Sequence, residues 1–424
     1  MSAPTVRCTS MPGSIPSEPA EAGPTPPVAS IPLDLADLSP EWLTDVLRRH
    51  APRASVVAAR TTDSHSGTTG RALLHLDYAG DAGPLPSSVF CKLAPFDPRQ
   101  RRLLQKFGIG AIEARFYAEL AGDVAGRVGV RLPRVWHAQA DADGSFIMVL
   151  EDLVASGCRF RRRPVGAGEA GRESGVSEDP HPGSGVDPGS GVDPGGLRIL
   201  DRARATVDEL ARLHAGYWES PRFADDLSWV PDRAGFGDGK GRSATALEAS
   251  AHFVRRALDR FADDMSPGFR AVGKFYEAHV GDILDLWDDG ERTLIHGDPH
   301  EGNLFDDGER AGFFDWAMFS RSPGVRDLAY YCCTSLPLAT RRSAEVELLG
   351  RYRTTLEGAG IELPERVADR QYRELAVFAW VSMASTAAMG GRWQPVATGT
   401  RAMVRATAAV EDLSSIDVLA DRLR

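Results

Sequence analysis

Apolar and polar positions change rhythm several times along this chain. Residues 1–30, which include "GSIPSEPAEAGPTPP", are rich in Pro, Ser, Ala and Gly without any period. Such a stretch has too little apolar surface to offset the entropy of ordering, and it predicts a disordered N-terminal tail. "LSPEWLTDVLRRH" then starts a helix: Ser39 suits the N-cap, Pro40 the first turn, and Trp42, Leu43, Val46 and Leu47 share one face. Three strand-like runs follow, "ASVVAAR", "RALLHLDYA" and "SSVFCKLAP", separated by Gly, Ser and Asp clusters. They predict a small antiparallel sheet. "RRLLQKFGIGAIEARFYAEL" reads as helical in its second half, with Ile112, Phe116 and Leu120 four apart. "SFIMVLEDL" is a continuous apolar run ending in acids, the pattern of a buried strand that stops at a hinge.

The rhythm breaks at residues 165–197, where GSGVDP is directly repeated and bulky apolar residues almost vanish. That composition predicts a flexible insertion. From Leu200 the spacing is helical, with Ala203, Val207, Leu210, Ala211 and His214 on one face; His214 is expected to be a core histidine. "LAVFAWVSMASTAAMGG", starting at Leu375, is broken by Ser and Thr and falls short of the roughly 20 apolar residues of a bilayer span, so it predicts a buried helix. The expected architecture is α+β and bilobal. A strand-rich N-terminal lobe spans 31–152, and a helix-rich C-terminal lobe spans 153–424 and carries the insertion.

Composition narrows the function classes. The chain has 424 residues, 42% hydrophobic and 25% charged, the make-up of a globular protein large enough for two lobes. A formal net charge of -10 argues against nucleic acid as a main partner and is compatible with a cationic small substrate. The five cysteines, at 8, 91, 158, 332 and 333, are odd in number and lack C-x-x-C spacing, which indicates neither a disulfide framework nor a zinc knuckle. The N-terminus has no apolar segment of the signal-peptide kind. A cytoplasmic location is expected, with no membrane association and no evident protein partner.

Residues 294–316, "LIHGDPHEGNLFDDGERAGFFDW", hold the densest set of ligand-type side chains. Phosphoryl transfer makes demands on such a set that the whole chain can be asked to meet: a carboxylate for the acceptor's proton, oxygen ligands for Mg²⁺, a cation on the nucleotide phosphates, and an acid to hold that cation. Asp298 and Asn303 are five apart, the separation of the catalytic Asp and metal-binding Asn in protein kinases. Asp315 follows a predicted hairpin, with strands at 303–305 and 312–314 and a solvated turn of Asp306, Asp307 and Glu309 between them. Hard oxygen ligands of this kind suit Mg²⁺. Lys92 is the only lysine in the three strand-like runs, and Glu113 on the next helix can pair with it. Ser66, Gly67 and Gly70 lie in a turn between early strands, where it can cover phosphates.

"HGDPHEGN", "FFDW" and "DLAYY", with "LARLHAGYW" and "EARFYAEL" upstream, resemble the aminoglycoside phosphotransferase family of small-molecule kinases, nearest its ecdysteroid-kinase-like and choline-kinase-like branch. The resemblance spans roughly residues 35–390. It implies a bilobal protein-kinase-like fold and a phosphotransferase that uses ATP or GTP with Mg²⁺ and a small hydroxyl-bearing acceptor. It also implies that Asp298 is the base, that Asn303 and Asp315 hold the metal, and that Lys92, paired with Glu113, contacts the nucleotide phosphates. His296 would support the loop from behind and Asp327 would anchor it. Residues 149–153, Glu151 among them, would line the adenine pocket through backbone groups. The turn at 66–70 is not a G-x-G-x-x-G, and the insertion falls where the family has a short connection.

Three other readings compete. A metal hydrolase would use His296, Asp298 and His300, but Gly297 and Pro299 argue for a loop there; His300 is otherwise a loop residue near the acceptor. A protein kinase would carry Arg where Gly297 stands, and eleven residues between Asp315 and Asp327 leave no room for a peptide-docking segment. A catalytically inactive nucleotide-binding module would have lost Lys92, Asp298, Asn303 or Asp315, and all four are present.

Overall fold

The computed structural model describes residues 30–105, 108–160, 198–232, 244–308, 310–389 and 396–424. Residues 1–29, the insertion at 165–197, the Arg run at 161–163 and Glu309 lie outside the described residues.

The helix Pro40–Leu47 begins as its sequence dictates. Ser39 Oγ accepts a hydrogen bond from Trp42 N–H at 3.3 Å, and Trp42, Leu43, Val46 and Leu47 are buried. They pack on a five-stranded antiparallel sheet of β1 (Ser55–Ser66), β2 (Gly70–Ala79), β3 (Ser88–Leu93), β4 (Val135–Ala140) and β5 (Phe146–Glu151), in the order β1-β2-β3-β5-β4. β3 is therefore central, which explains why Val89, Cys91 and Leu93 are all fully buried. β1 runs six residues beyond its apolar stretch. The polar "TTDSHS" extension pairs with β2 along its length and faces water as the edge of the sheet, where polar side chains discourage further pairing on the open side.

After a short helix at Pro98–Gln105, the helical segment that carries Glu113 departs from a regular period. An α-helical Ile109–Arg115 passes into a π turn at Phe116–Leu120, and a second π turn covers Val124–Val128. The wider turn lets Phe116, Tyr117 and Leu120 all face the core.

The second lobe is built around the helices Ile199–Tyr217, Val325–Ser335 and Glu365–Met389. The last contains the apolar run from Leu375. Trp380 in its middle is fully buried, and its Nε1 donates to Thr407 Oγ1 at 3.0 Å, which satisfies the one polar atom of that side chain. No helix among the described residues is long and apolar enough to cross a membrane. Short strands β6 (Arg159–Phe160), β8 (Leu304–Asp306) and β9 (Ala311–Phe313) form one small sheet, and β7 (Thr293–Ile295) pairs with β10 (Ser320–Ser322) in another. A single cluster of buried apolar residues runs from Met148 and Phe116 of the first lobe through Trp316 into the helices of the second.

The β8–β9 hairpin lies one residue from where its sequence places it, and its turn is not merely solvated. Asn303 sits in a 3₁₀ turn ahead of β8, and Asp315 lies two residues beyond β9. Asp306 pairs with Arg202 at 2.9 Å and Asp307 with Arg131 at 3.4 Å, so these acids tie the hairpin to its surroundings.

His137 on β4 meets the edge of Trp42, with ring centroids 5.8 Å apart. Burial, reinforced by Arg49, lowers its pKa to about 4. The folded chain thus holds a neutral imidazole that the unfolded chain would protonate below about 6.5. Its contribution is present above that pH and is lost as pH falls towards 4. Urea unfolding at pH 7 and pH 4 should show a loss of about 2–3 kcal/mol that His137→Gln removes; equal losses in both proteins would refute this role.

Candidate active site

The loop after β7 is held from below by one carboxylate. Asp327, in the first turn of the helix Val325–Ser335, is fully buried. Its Oδ2 accepts from His296 N–H at 2.7 Å and its Oδ1 from Gly297 N–H at 2.9 Å. His214 Nε2 lies 3.4 Å from the same carboxylate and His214 Nδ1 lies 2.8 Å from Tyr352 Oη, so this histidine is a partnered core residue. Gly297 has φ +84°, and a Cβ there would stand 2.0 Å from Met318 O. No side chain fits, which gives the physical reason for glycine at this step of the loop.

His296 is spent within the loop. Its Nδ1 accepts from Asp298 N–H at 3.2 Å and its Nε2 lies 3.1 Å from Phe314 O, which assigns the proton to Nε2. Burial lowers its pKa against the pull of Asp327 and Asp298, and its ring packs at a tilt against Trp316 with centroids 4.6 Å apart. With both nitrogens engaged, His296 offers no free lone pair for the metal that a hydrolase would need there. Among the described residues, no three His, Cys, Asp or Glu side chains are grouped to hold one. His300 caps the 3₁₀ turn, its Nδ1 accepting from Gly302 N–H at 2.9 Å, while its Nε2 lies 3.5 Å from Asp298 Oδ2.

Asp298 is partly open to solvent, and donors on two sides orient its carboxylate. Tyr330 Oη–H donates to Oδ1 at 2.6 Å, and Asn303 Nδ2 donates to Oδ2 at 3.1 Å and to the Asp298 carbonyl at 2.9 Å. Asn303 thereby presents its remaining amide oxygen, a hard donor suited to Mg²⁺. The Asn303 carbonyl accepts from Phe314 N–H at 3.1 Å, which clasps the loop to the residue before Asp315. Asp315 itself adopts φ +63°, a conformation that strains a non-glycine residue and is held by its neighbours.

Residues of the first lobe converge on Asp315 across the cleft. Lys92 Nζ lies 2.6 Å from Glu113 Oε2 and 2.9 Å from Asp315 Oδ1, and Arg71 Nη2 lies 3.7 Å from Asp315 Oδ2. Because β3 is central, Lys92 is 5% exposed and no ordinary edge-strand lysine. Burial disfavours its ammonium, yet Asp315 and Glu113 outweigh burial and raise its pKa. Burial pushes the Glu113 carboxyl up to about 7, with Lys92 opposing. Asp315 goes the other way: burial works against its charge, but Lys92 and then Arg71 hold it well below the usual carboxylate range. An ionised Asp315 and the Asn303 oxygen fit a divalent cation.

The other expected nucleotide contacts are engaged locally. Ser66 Oγ accepts from Phe96 N–H at 3.1 Å, and Gly67 N–H donates to Thr69 O at 3.0 Å. A Cβ on Gly70 would meet the Phe96 ring at 2.5 Å, so the turn rests on the segment after β3. The Glu151 carboxylate is held by Arg131 at 2.8 Å and by Arg134 N–H at 2.8 Å, a role in fixing the hinge. Two site residues escaped the sequence reading, Arg71 and Tyr330. Tyr330 had a signal: it lies three residues after Asp327 on a helix, and so on the face turned to the loop. Arg71 had none, because its nearness to Asp315 depends on strand register.

Residues 197–369 match the family model described as the phosphotransferase enzyme family, APH. The segment contains Asp298, Asn303, Asp315 and Asp327. No curated protein matches the chain. Among solved structures, it is similar to a macrolide 2'-phosphotransferase from Brachybacterium faecium, at 17% identity and TM-score 0.41, covering 87% of this chain and 96% of that one. It is also similar to a choline/ethanolamine kinase family protein from Mesorhizobium loti, at 14% identity and TM-score 0.42, covering 85% and 92%. A third is an aminoglycoside 2'-phosphotransferase-IIIa solved with GDP, at 12% identity and TM-score 0.45, covering 86% and 97%.

Removing the Asp327 carboxylate leaves two buried N–H groups without an acceptor. Asp327→Ala should lower the unfolding free energy by about 3 kcal/mol or more, and Asp327→Asn, which keeps one acceptor, by less. Denaturant titration checks the order; an Ala variant as stable as the parent would show that the loop is anchored elsewhere.

Proposed function

We propose, from the premise that the chain belongs to the phosphotransferase enzyme family through residues 197–369, that it moves the γ-phosphoryl of ATP or GTP to a hydroxyl of a small molecule. The observation that carries this reading is the contact of Lys92 with Asp315, 223 positions apart, which brings the Lys–Glu pair of one lobe onto the loop after β9, itself clasped through Phe314 N–H to the loop of Asp298 and Asn303.

In this reading Asp298 receives the proton of the acceptor hydroxyl. Tyr330 and Asn303 fix its carboxylate in one orientation, so no reorganisation is needed when the acceptor arrives. Lys92, steadied by Glu113, neutralises charge on the nucleotide phosphates. Mg²⁺ held by Asn303 and Asp315 would supply further charge neutralisation and order the phosphate oxygens. A small acceptor is favoured over a peptide because the stretch between Asp315 and Asp327 is taken up by β10, which pairs with β7. That leaves no segment on which a peptide could dock.

A panel of aminoglycosides, amino alcohols, sugars, sterols and hydroxyacyl thioesters, assayed for acceptor-dependent ATP or GTP consumption with Mg²⁺, should identify the acceptor. Asp298→Ala should then lower kcat by at least about 10²–10⁴-fold while nucleotide affinity stays near that of the parent, and EDTA should stop turnover. Parental turnover by Asp298→Ala, or full activity in EDTA, would sink the assignment.

A further inference from the structure

Arg71 has no part in the scheme above, and its surroundings ask for one. It is the direct cross-strand partner of Lys92 in the β2–β3 ladder, so two cations stand side by side at the cleft. Like charges in that relation destabilise a sheet unless an anion lies between them. The anion present is a single carboxylate, Asp315, and the two cations share it unequally. Lys92 is buried and close, with Glu113 as a second acid; Arg71 is 30% exposed and sits 3.7 Å away. Among the described residues its other polar contact is Thr69 Oγ1, 3.4 Å from its Nε. A guanidinium with five N–H donors is thus loosely held at the solvent side of the cluster.

We infer that Arg71 is a nucleotide-binding residue that exchanges Asp315 for the phosphates of a nucleoside di- or triphosphate. The inference rests on the phosphotransferase reading of the same site. When Asp315 turns to a divalent cation, Arg71 loses its carboxylate, and its planar fork matches two phosphate oxygens as a lysine ammonium cannot. Thr69 Oγ1 accepts from Arg71 Nε at 3.4 Å, and the turn that carries Thr69 packs through Gly70 against Phe96. Without nucleotide, Arg71 competes with the metal for Asp315; with nucleotide, it adds to the grip on the phosphates. Its removal should therefore shift the two affinities in opposite directions.

Calorimetric titration of the full chain with ATP, ADP and adenosine in Mg²⁺ tests the first shift, and titration with Mn²⁺ alone, followed by the resonance of free Mn²⁺, tests the second. Arg71→Gln should weaken ATP and ADP about 10–100-fold, leave adenosine within about twofold, and tighten Mn²⁺ a few-fold. Arg71→Lys should recover only part of the ATP loss. Unchanged ATP affinity in Arg71→Gln, an equal loss for adenosine, or weaker Mn²⁺ binding would overturn the role of Arg71 alone. A parent protein that binds neither ATP nor GTP would overturn the phosphotransferase reading and this inference with it.

Discussion

The ion cluster of Lys92, Glu113 and Asp315 is the constraint around which the rest of the molecule is arranged. Charges buried to this degree are costly unless each is paired, and here each pair spans separate elements: β3, the helix Ile109–Arg115 and the loop after β9. Losing Lys92 would take the shared cation from both carboxylates, leaving Glu113 without its ion partner and Asp315 with only the more distant Arg71. The helix, the sheet and the second lobe therefore have to be positioned together. Aromatic packing repeats the connection, since Phe116, three residues after Glu113, stacks on Trp316, the residue after Asp315, with centroids 4.3 Å apart. Glu113 and Phe116, three apart, share one face of the helix, so the pairing and the stacking are made side by side.

A second carboxylate organises the loop from the opposite side. Asp327 binds two successive N–H groups of the loop and faces His214, so the helix Val325–Ser335, the helix Ile199–Tyr217 and β7 meet at one buried point. His296, neutral and fully engaged, then fills the space between this anchor and Trp316. Asp298 and Asn303 rest on that scaffold, held to each other and to Tyr330 by hydrogen bonds. The left-handed Gly297 and Asp315 are the backbone positions where the two loops make their sharpest departures.

The acids of the 294–316 segment divide by what they touch. Asp298 is bound by the Asn303 amide and Asp315 by Lys92, while Asp306 and Asp307 pair with Arg202 and Arg131. Arg131 also holds Glu151, so the hairpin, the segment before β4 and the end of β5 are joined by one guanidinium. The turn that reads as a solvated acidic loop is thus part of the hinge, and the hinge glutamate is engaged in holding it.

The sequence by itself determined the α+β division into a strand-rich and a helical part, the N-cap at Ser39 and the buried faces of the main helices, and it singled out Lys92, Glu113, Asp298, Asn303, Asp315 and Asp327 as candidates, which the structure joins by direct contacts. These are legible because periodicity, capping and short fixed spacings are local properties of the chain. Tertiary structure alone decided that β3 is central, that Arg71 stands beside Lys92, that His296 has no free nitrogen, and that Asp306 and Asp307 have partners. Each of these depends on which strand lies next to which and in what register. A one-residue slip in register turns a side chain to the opposite face, and no local pattern in Arg71 or its neighbours records the choice.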